Sequence, residues 1–425
     1  MLKGQFPVEK FASLRTPFYY YDLPLLRRTL DKIRECIEPY PQFHVHYAVK
    51  ANFNGKILQE ISRCGFGADC VSGGEIRAAL QNGFAPESIV YAGVGKSDEE
   101  ILLALDAGIA RFNVESAAEL EVINELALSR GVVAPVSLRV NPDIGAHTHA
   151  NITTGLAENK FGINYEQLPG VIELADSLPG VEYKGLHFHI GSQILEMDDF
   201  VALCNRINVL AEQILRQRRG RLVPAASSAA AVGYSSSAVG AAGVSGSGVA
   251  SGVAGAAASV LGDINVGGGL GINYYHPNHL DVAEFSQYFE TFARHLKLPE
   301  GTPVHFELGR SVVAPCGSLI SRVLYIKEGT TRRFAIIDAS MTELIRPALY
   351  KAYHRVENIS SYEPEEVYDV VGPVCESSDV FAKGVSIDKC HRGDFIAIRS
   401  AGAYGESMSS QYNCRPLPAC FFKED

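Results

Sequence analysis

A regular alternation of strand-like and helix-like segments is the feature that most constrains how this chain can fold. Strand-like runs begin near His44, Gly67, Ile89, Arg111 and Val136, with amphipathic helical patterns between them. The runs start about 22 to 25 residues apart, which is the length of a βα unit with short loops. Because parallel strands need long crossover connections of one hand, this spacing predicts a parallel sheet covered by helices.

Three further strand-like runs complete a set of eight and favour a closed barrel. They begin at Gly185, Asp263 and His305. Eight strands with intervening helices are the number that closes a (β/α)8 barrel, so we predict an α/β fold of the TIM type over residues 24–314. An open, doubly wound sheet is the alternative for the same alternation.

The pattern changes after Arg310, where strand-like segments follow one another without regular helices. These segments begin at Ser318, Arg332, Val367 and Gly393. They predict a second, mainly β domain over residues 315–425. The aromatic run Thr16–Asp22 also has strand composition, so residues 1–23 are expected to pair with that domain. The second domain would then be formed from both chain ends.

Residues 222–262 stand apart because they contain no charged side chain and consist almost entirely of Ala, Ser, Gly and Val. The stretch is poor in Leu, Ile and Phe, so we expect no membrane span. Such a composition cannot specify a packed core and is typical of a flexible linker. The segment joins a helix to the next strand. We therefore predict a tolerated insertion on the N-terminal face of the barrel, away from the active-site face.

Charge and cysteine content argue against several classes of protein. The net charge is −10 and the chain has no long basic run, so nucleic acid is not an expected partner. The 9 cysteines contain no CxxC pair and are odd in number, which predicts neither a disulfide framework nor a metal site. The N-terminal residues lack the apolar core of a signal peptide, and a cytoplasmic protein is expected.

Polar side chains gather where the predicted strands end, which in barrels is the face that carries the active site. They are Lys50, Asp69, Ser72, Arg139, Asn141, His187, His189, Ser192, Glu307 and Arg310. Lys50 ends a mostly buried strand, so poor hydration should lower the pKa of its amine and favour a Schiff base with a carbonyl compound. The alternative is a lysine that extends from the strand end into solvent.

The triple glycine 267–269 follows the seventh predicted strand, where barrels of this type often bind phosphate. Its backbone N–H groups can approach an oxyanion closely. A phosphate site combined with a Schiff-base lysine points to pyridoxal 5'-phosphate. Glu307 could then keep the pyridine nitrogen protonated, and the alternative for Glu307 is an ion pair with Arg310.

Eight motifs occur along the chain in a specific order. They are HYAVKAN, GADCVSGGE, HFHIGSQ, INVGGGLG, ELGR, RPALY, GPVCESSD and AGAY. In this order they resemble the fold type III pyridoxal-phosphate decarboxylases, most closely those that act on meso-2,6-diaminopimelate and release L-lysine and CO2. One departure is Leu308, where that family usually has proline.

The resemblance implies a role for each residue around the cofactor. Lys50 would bind the cofactor covalently, His189 would stack on its ring, and Glu307 would pair with the ring nitrogen. The phosphate would be held by Ser192, Gly268, Gly269 and Tyr404. His187, in the same motif as His189, is interpreted as a core histidine.

The resemblance places the substrate on Arg310, Arg346, Tyr350, Glu376 and Tyr404. Diaminopimelate carries a second amino acid centre, so its site needs a cation for the distal carboxylate and an anion for the distal ammonium. The guanidinium fork of arginine suits the carboxylate, and Glu376 suits the ammonium. A substrate such as ornithine has a bare distal amine and no use for two such arginines.

The resemblance also implies a homodimer with shared active sites. Cys375, Glu376 and Asp379 would reach into the site of a second subunit, where Cys375 is the candidate catalytic proton donor. Three other functions are open to the same residues. They are decarboxylation of ornithine, arginine or carboxynorspermidine, racemisation of an amino acid on a similar barrel, and binding of a partner by an inactive, decarboxylase-like regulator.

Overall fold

The computed structural model describes residues 6–144, 160–222, 260–277 and 282–424. Most of the predicted insertion 222–262 lies outside these residues, so its expected conformation is not tested. Within the described ranges, no helix is both long and apolar enough to cross a membrane.

Eight parallel strands close into a barrel, which confirms the predicted fold class and excludes the open sheet. The strands are β1 Phe43–Ala48, β2 Gly67–Cys70, β3 Ile89–Tyr91, β4 Arg111–Val114, β5 Ala134–Asn141, β6 Val181–His187, β7 Asp263–Asn265 and β8 Val304–Leu308. The ring closes because β8 pairs with β1, in a register that places Glu307 beside His46. A two-residue strand, Ile163–Asn164, adds to β5 outside the ring.

Helices cover the barrel, and their ends follow local sequence signals. They span Leu23–Ile37, Gly55–Arg63, Gly73–Gln81, Asp98–Ala107, Ala117–Arg130, Leu168–Ser177, Met197–Leu222 and Val282–His295. Ser97 and Glu100 form a capping box at the start of one of them. The same helix ends at Gly108, whose φ of 69° is a left-handed conformation that glycine adopts without strain.

The second sheet contains eight strands and receives both ends of the chain. They are Phe18–Asp22, Gly317–Glu328, Arg333–Ile337, Val356–Asn358, Glu365–Val371, Val380–Asp388, Phe395–Ile398 and Ala419–Lys423. Phe18–Asp22 pairs antiparallel with Gly317–Glu328 and parallel with Ala419–Lys423. Short helices also span Val8–Phe11, Arg310–Val313 and Arg346–Tyr350.

Buried hydrogen bonds attach this sheet to the end of β1. Nδ2 of Asn52 donates to the hydroxyl of Tyr21 at 2.8 Å and to the carbonyl of Gly402 at 2.9 Å. The N–H of Tyr404 donates to the carbonyl of Ala51 at 2.8 Å. The two residues that directly follow Lys50 are therefore bonded to the second domain, so the two domains meet beside this lysine.

Candidate active site

A cavity of about 400 Å³ opens where the carboxyl ends of the barrel strands meet the second sheet. Six residues singled out from the sequence line it: His189, Ser192, Arg310, Arg346, Tyr350 and Tyr404. Gln193, Tyr274, Ala352, Tyr353 and Met408, which the sequence did not single out, complete the lining. Both the barrel and the β sheet contribute side chains, so this site depends on the contact between them.

Lys50 follows β1 directly, in the 3-10 turn Val49–Ala51. Its Nζ lies 3.9 Å from Oδ2 of Asp69, and 41% of the side chain is exposed. Burial alone would lower the pKa of Lys50, but the charges of Asp69 and then of Tyr404 raise it above its ordinary value. The predicted decrease in this pKa is therefore wrong, because neighbouring acidic groups outweigh the loss of hydration.

The carboxyl group of Asp69 is buried at the end of β2, beside the lysine. Burial raises the pKa of Asp69 well above its ordinary value, and the negative charge of Glu307 adds to the effect. Its Oδ1 has no hydrogen-bond partner among the described residues. The positive charge of Lys50, 3.9 Å away, opposes this rise in the pKa of Asp69.

Glu307, on β8, is buried, and its carboxylate has three hydrogen-bond partners. Oε1 accepts from Nδ2 of Asn265 at 2.8 Å and from Nδ2 of Asn113 at 3.3 Å. Oε2 lies 3.0 Å from Nε2 of His187. Burial alone would raise the pKa of Glu307, but His187 beside it holds that pKa below its ordinary value. An ion pair with Arg310 is not among the contacts of this carboxylate in the described chain.

Sequence reasoning missed both asparagines and interpreted His187 only as a core residue. His187 ends β6 and pairs in register with Asn265 of β7. Side chains of adjacent strands that share a register and face inward meet inside a barrel. The inward alternation along β6 and β7 was the signal that could have linked His187 and Asn265 to Glu307.

The glycine run after β7 has the predicted place, and its packing leaves no room for a side chain. A Cβ on Gly268 would lie 1.9 Å from the carbonyl oxygen of Glu307. The N–H of Gly267 donates to Oδ1 of Asn265 at 2.9 Å. The N–H of Gly268 donates to Nδ1 of His189 at 3.2 Å. Two N–H groups of the run thus bind protein atoms, and phosphate binding by Gly268 and Gly269 stays a prediction.

His189 presents a neutral ring to the cavity. Burial lowers the pKa of His189 well below its ordinary value, and the positive charge of Lys50 adds to this effect. Because Nδ1 accepts the N–H of Gly268, the ring proton resides on Nε2. A neutral, fixed imidazole is suited to stack on an aromatic ligand, which is the role that the family resemblance implies for His189.

Arg310 and Arg346 are both buried and converge on Tyr274. Arg310 donates to the hydroxyl of Tyr274 at 2.9 Å and to Oγ of Ser192 at 2.9 Å. The guanidinium of Arg346 lies 5.0 Å from the ring centroid of Tyr274. No carboxylate of the described chain forms an ion pair with either guanidinium. The cavity therefore contains two buried cations that an anionic ligand could neutralise.

Arg346 is held in place by a histidine that the sequence did not indicate. Its NH1 lies 2.8 Å from Nε2 of His354, and Nδ1 of His354 lies 2.8 Å from the carbonyl of Arg399. Burial and the adjacent Arg346 lower the pKa of His354 to about 3. The imidazole is neutral at physiological pH, so its Nε2 can accept from the guanidinium.

Cys375 and Glu376 are exposed and do not line the cavity of their own chain. The N–H of Cys375 donates to Oδ1 of Asn413 at 3.2 Å. Asp379, by contrast, is buried, and its carboxylate accepts the N–H groups of Met341 at 2.7 Å and Val374 at 2.9 Å. These bonds hold Asp379 within its own chain, and its approach to a second subunit stays a prediction.

Two other polar residues predicted at strand ends have structural roles. Oγ of Ser72 accepts the N–H of Glu75 at 3.2 Å and so caps the helix Gly73–Gln81. Arg139 forms a buried ion pair with Glu115 at 2.7 Å. Both side chains stabilise the rim of the barrel near the site.

The residues at this site fit pyridoxal 5'-phosphate. An aldehyde requires an accessible amine, and Lys50 supplies one. A protonated pyridine nitrogen requires an ionised carboxylate, and Glu307 is kept in that state by its partners. The flat, neutral ring of His189 matches an aromatic cofactor, and the two buried arginines line the same cavity as His189.

Comparison with known proteins gives the same assignment. The family model for the pyridoxal-dependent decarboxylase, pyridoxal binding domain, matches residues 26–218. Diaminopimelate decarboxylase of Bacteroides thetaiotaomicron is 54% identical over 424 residues, which cover 100% of each chain. Diaminopimelate decarboxylase of Zymomonas mobilis is 37% identical, with 96% of this chain and 87% of the relative covered.

Solved structures with the same fold include enzymes that carry the same name. Diaminopimelate decarboxylase from Helicobacter pylori complexed with L-lysine is 35% identical, with a TM-score of 0.83 over 98% of this chain and 94% of that one. The enzyme from M. jannaschii in complex with L-lysine is 32% identical, with a TM-score of 0.80 over 98% and 89% of the two chains. The chain therefore belongs to the diaminopimelate decarboxylases, a family of fold type III enzymes that depend on pyridoxal 5'-phosphate.

Proposed function

We propose that this protein decarboxylates meso-2,6-diaminopimelate to L-lysine and CO2, the last step of lysine biosynthesis. The observation that carries the proposal is the pair of buried arginines, which have no carboxylate partner in the described chain and line one cavity together with His189 and Tyr404. The relatives named above support it, since two of their solved structures contain L-lysine, the product expected here.

The chain's own residues prepare this reaction in distinct ways. Lys50 would hold the cofactor through its aldehyde and exchange it for the amine of the substrate. Glu307 would keep a proton on the ring nitrogen, and His189 would support the ring face. Bound pyridoxal 5'-phosphate supplies an electron sink for the pair released when the α-carboxylate leaves. Ser192, Gly268, Gly269 and Tyr404 are the residues proposed for the phosphate.

Arg310 and Arg346 would bind the distal carboxylate of the substrate, with Tyr350 beside them in the cavity. Both guanidinium groups are held in place before the substrate arrives, Arg310 by Ser192 and Tyr274 and Arg346 by His354. Positioned forks of this kind suit bidentate binding of a carboxylate. The second amino acid centre of diaminopimelate meets this requirement, and the bare amine of ornithine does not.

Turnover of diaminopimelate and ornithine under the same conditions tests the proposed substrate. We expect CO2 release from meso-diaminopimelate with formation of lysine, and little from ornithine. A preference for ornithine would contradict the role given to the two arginines. Interconversion of stereoisomers without CO2 would indicate a racemase, and the absence of turnover on any of these compounds would favour a regulatory protein.

Replacing Arg346 with leucine is expected to raise the KM for diaminopimelate about 10- to 100-fold and to change kcat much less. The arginine would bind a part of the substrate that does not react, so its contribution is the same before and during the chemical step. Steady-state kinetics provide the measurement. The exposed Arg392 is the matched control, and Arg392→Leu should leave both constants unchanged. A large fall in kcat with an unchanged KM would contradict this role.

We infer further that the protein is a homodimer in which each subunit completes the site of the other. Cys375 and Glu376 are exposed and do not line the cavity of their own chain, which supports a role at a second subunit. Glu376 would then meet the distal ammonium of the substrate. Cys375 would return a proton to the carbon that has lost CO2.

Mixed dimers test this arrangement. Lys50→Ala and Cys375→Ala subunits, each inactive alone, are expected to recover about a quarter of wild-type activity when co-expressed, because half of the dimers then contain one intact site. Activity of the mixture is compared with that of each variant alone, and sedimentation gives the oligomeric state. Absence of recovery in a dimer that contains both subunits would show that the site lies within one chain.

A cytoplasmic location is also part of the proposal. All 9 cysteines are free thiols, which supports a reducing compartment. Cell fractionation with an antibody against the protein would test it directly.

A further inference from the structure

We propose that His187 is a positioning residue for this reaction. Through Nε2 it would fix the carboxylate of Glu307 so that one acceptor position of Oε2 stays open for the ring nitrogen of the cofactor. The inference deepens the proposed function and rests on it for the reaction. Its experiment includes a measurement that does not depend on the identity of the substrate.

The donors around Glu307 leave a single acceptor position. A carboxylate offers about four such positions, two on each oxygen. In the described chain, Asn265 and Asn113 donate to Oε1, and His187 contacts Oε2. The two positions of Oε1 are thus filled, and one of the two on Oε2 is filled. The remaining position is defined by His187, since that residue decides which side of Oε2 is free.

Nε2 of His187 is the donor in its contact with Glu307. Nε2 lies 3.0 Å from Oε2, and an ionised carboxylate oxygen can only accept, so Nε2 carries a proton and donates it. Only 1% of the residue is exposed, and Nδ1 has no hydrogen-bond partner among the described residues. The bond to Oε2 is therefore the hydrogen bond through which this buried ring acts.

The imidazole cannot easily move away from this position. His187 is the last residue of β6, which pairs with β5 on one side and β7 on the other, through Arg139 and Asn265 at this level. The same Asn265 donates to Oε1 of Glu307 and accepts the N–H of Gly267. Asn113 on β4, His187 on β6 and Asn265 on β7 thus hold the carboxylate, and the glycine run holds Asn265. His187 is the residue that acts on Oε2.

Replacing His187 with leucine removes the donor and keeps an apolar side chain of similar size. We expect kcat to fall about 10- to 100-fold, because a hydrogen bond to a charged group is lost, and the KM to stay within about twofold. The dissociation constant of pyridoxal 5'-phosphate, measured by titrating cofactor-free protein, should rise about tenfold. This binding measurement holds even if diaminopimelate is not the substrate.

His187→Gln is the matched conservative variant, because the glutamine amide can place an N–H near the position of Nε2. It should recover most of both kcat and cofactor affinity. A merely structural role would instead lower the melting temperature of both variants without this difference. His46→Leu is the control for loss of a barrel histidine. His46 is buried and bonds to His305 and to the carbonyl of Ser88 instead of Glu307.

A double variant decides whether His187 acts through Glu307. In a Glu307→Gln background, His187→Leu should have little further effect on kcat or on cofactor affinity. Fully additive effects would overturn the proposal. Wild-type cofactor affinity and kcat in a folded His187→Leu protein would overturn it as well. If wild-type protein binds the cofactor but does not turn over diaminopimelate, the proposed substrate fails, and the binding data still test His187.

Discussion

Replacing Lys50 with alanine is expected to lower the rate of decarboxylation about a thousandfold or more and to remove the visible absorbance of the bound cofactor. Nζ of Lys50 lies 3.9 Å from Oδ2 of Asp69, in the turn that follows β1. Lys96, which is also near the barrel rim, has its Nζ bonded to the carbonyls of Gly93 and Asn113. It cannot take over the role without breaking those bonds. CO2 release and the absorption spectrum are the two measurements.

Two further variants separate chemistry from charge at this position. Lys50→Arg keeps a positive charge near Asp69 but cannot bond to an aldehyde, so it should be as inactive as the alanine variant. Lys56→Ala removes an exposed lysine six residues later and should retain full activity and absorbance. An active Lys50→Arg enzyme would mean that Lys50 serves only as an ion-pair partner of Asp69.

The barrel could be predicted from the sequence because its signals are local. Each strand-like run is apolar, short and separated from the next by a helical pattern, and all eight predicted strands occur in the structure. Strands of the second sheet were harder to find. Val356–Asn358 has only 3 residues, and Val380–Asp388 contains Gly384, a poor strand former, with a φ of 60°. Their pairing depends on partners far away in the chain, which no local pattern contains.

Position in the fold was easier to predict than electrostatics. The strand pattern placed Lys50 at the end of β1, where the structure has it, but the direction of its pKa depends on how many carboxyl groups surround it. Asp69 comes from the neighbouring strand, β2, and Glu307 from β8, 257 residues later in the chain. Burial of an amine can be estimated from one strand, whereas the sum of charges around it requires the closed barrel.

Partners of predicted residues were also missed for a physical reason. Asn265 and His354 are of the same residue types as other buried polar side chains, so the sequence does not distinguish them. Their importance comes from the groups that they contact. His354 matters because it accepts a hydrogen bond from Arg346. Asn265 matters because it joins Glu307 to the glycine run. Contacts of this kind follow from three-dimensional packing. Motif recognition alone identifies only the residues that Asn265 and His354 support, which are Glu307 and Arg346.

The second large effect is expected at Glu307. Glu307→Gln should lower kcat about 100- to 1000-fold and leave the KM for diaminopimelate within about threefold, because the substrate contacts on Arg310 and Arg346 remain. The amide cannot keep a proton on the ring nitrogen of the cofactor by charge. It also turns an acceptor oxygen into an NH2 donor, which would face the donors of Asn265 or His187. Steady-state kinetics and cofactor titration measure both consequences.

Glu307→Asp is the matched control, because it keeps the charge but shortens the side chain by one methylene. We expect it to retain more activity than the glutamine variant, since an ionised group remains near the ring nitrogen. If glutamine and aspartate lowered kcat equally, the geometry of the carboxylate would matter more than its charge. If Glu307→Gln kept a kcat within about threefold of the wild type, the site would not need an ionised partner for the cofactor. In that outcome, the three donors that converge on Glu307 would serve the stability of the barrel alone.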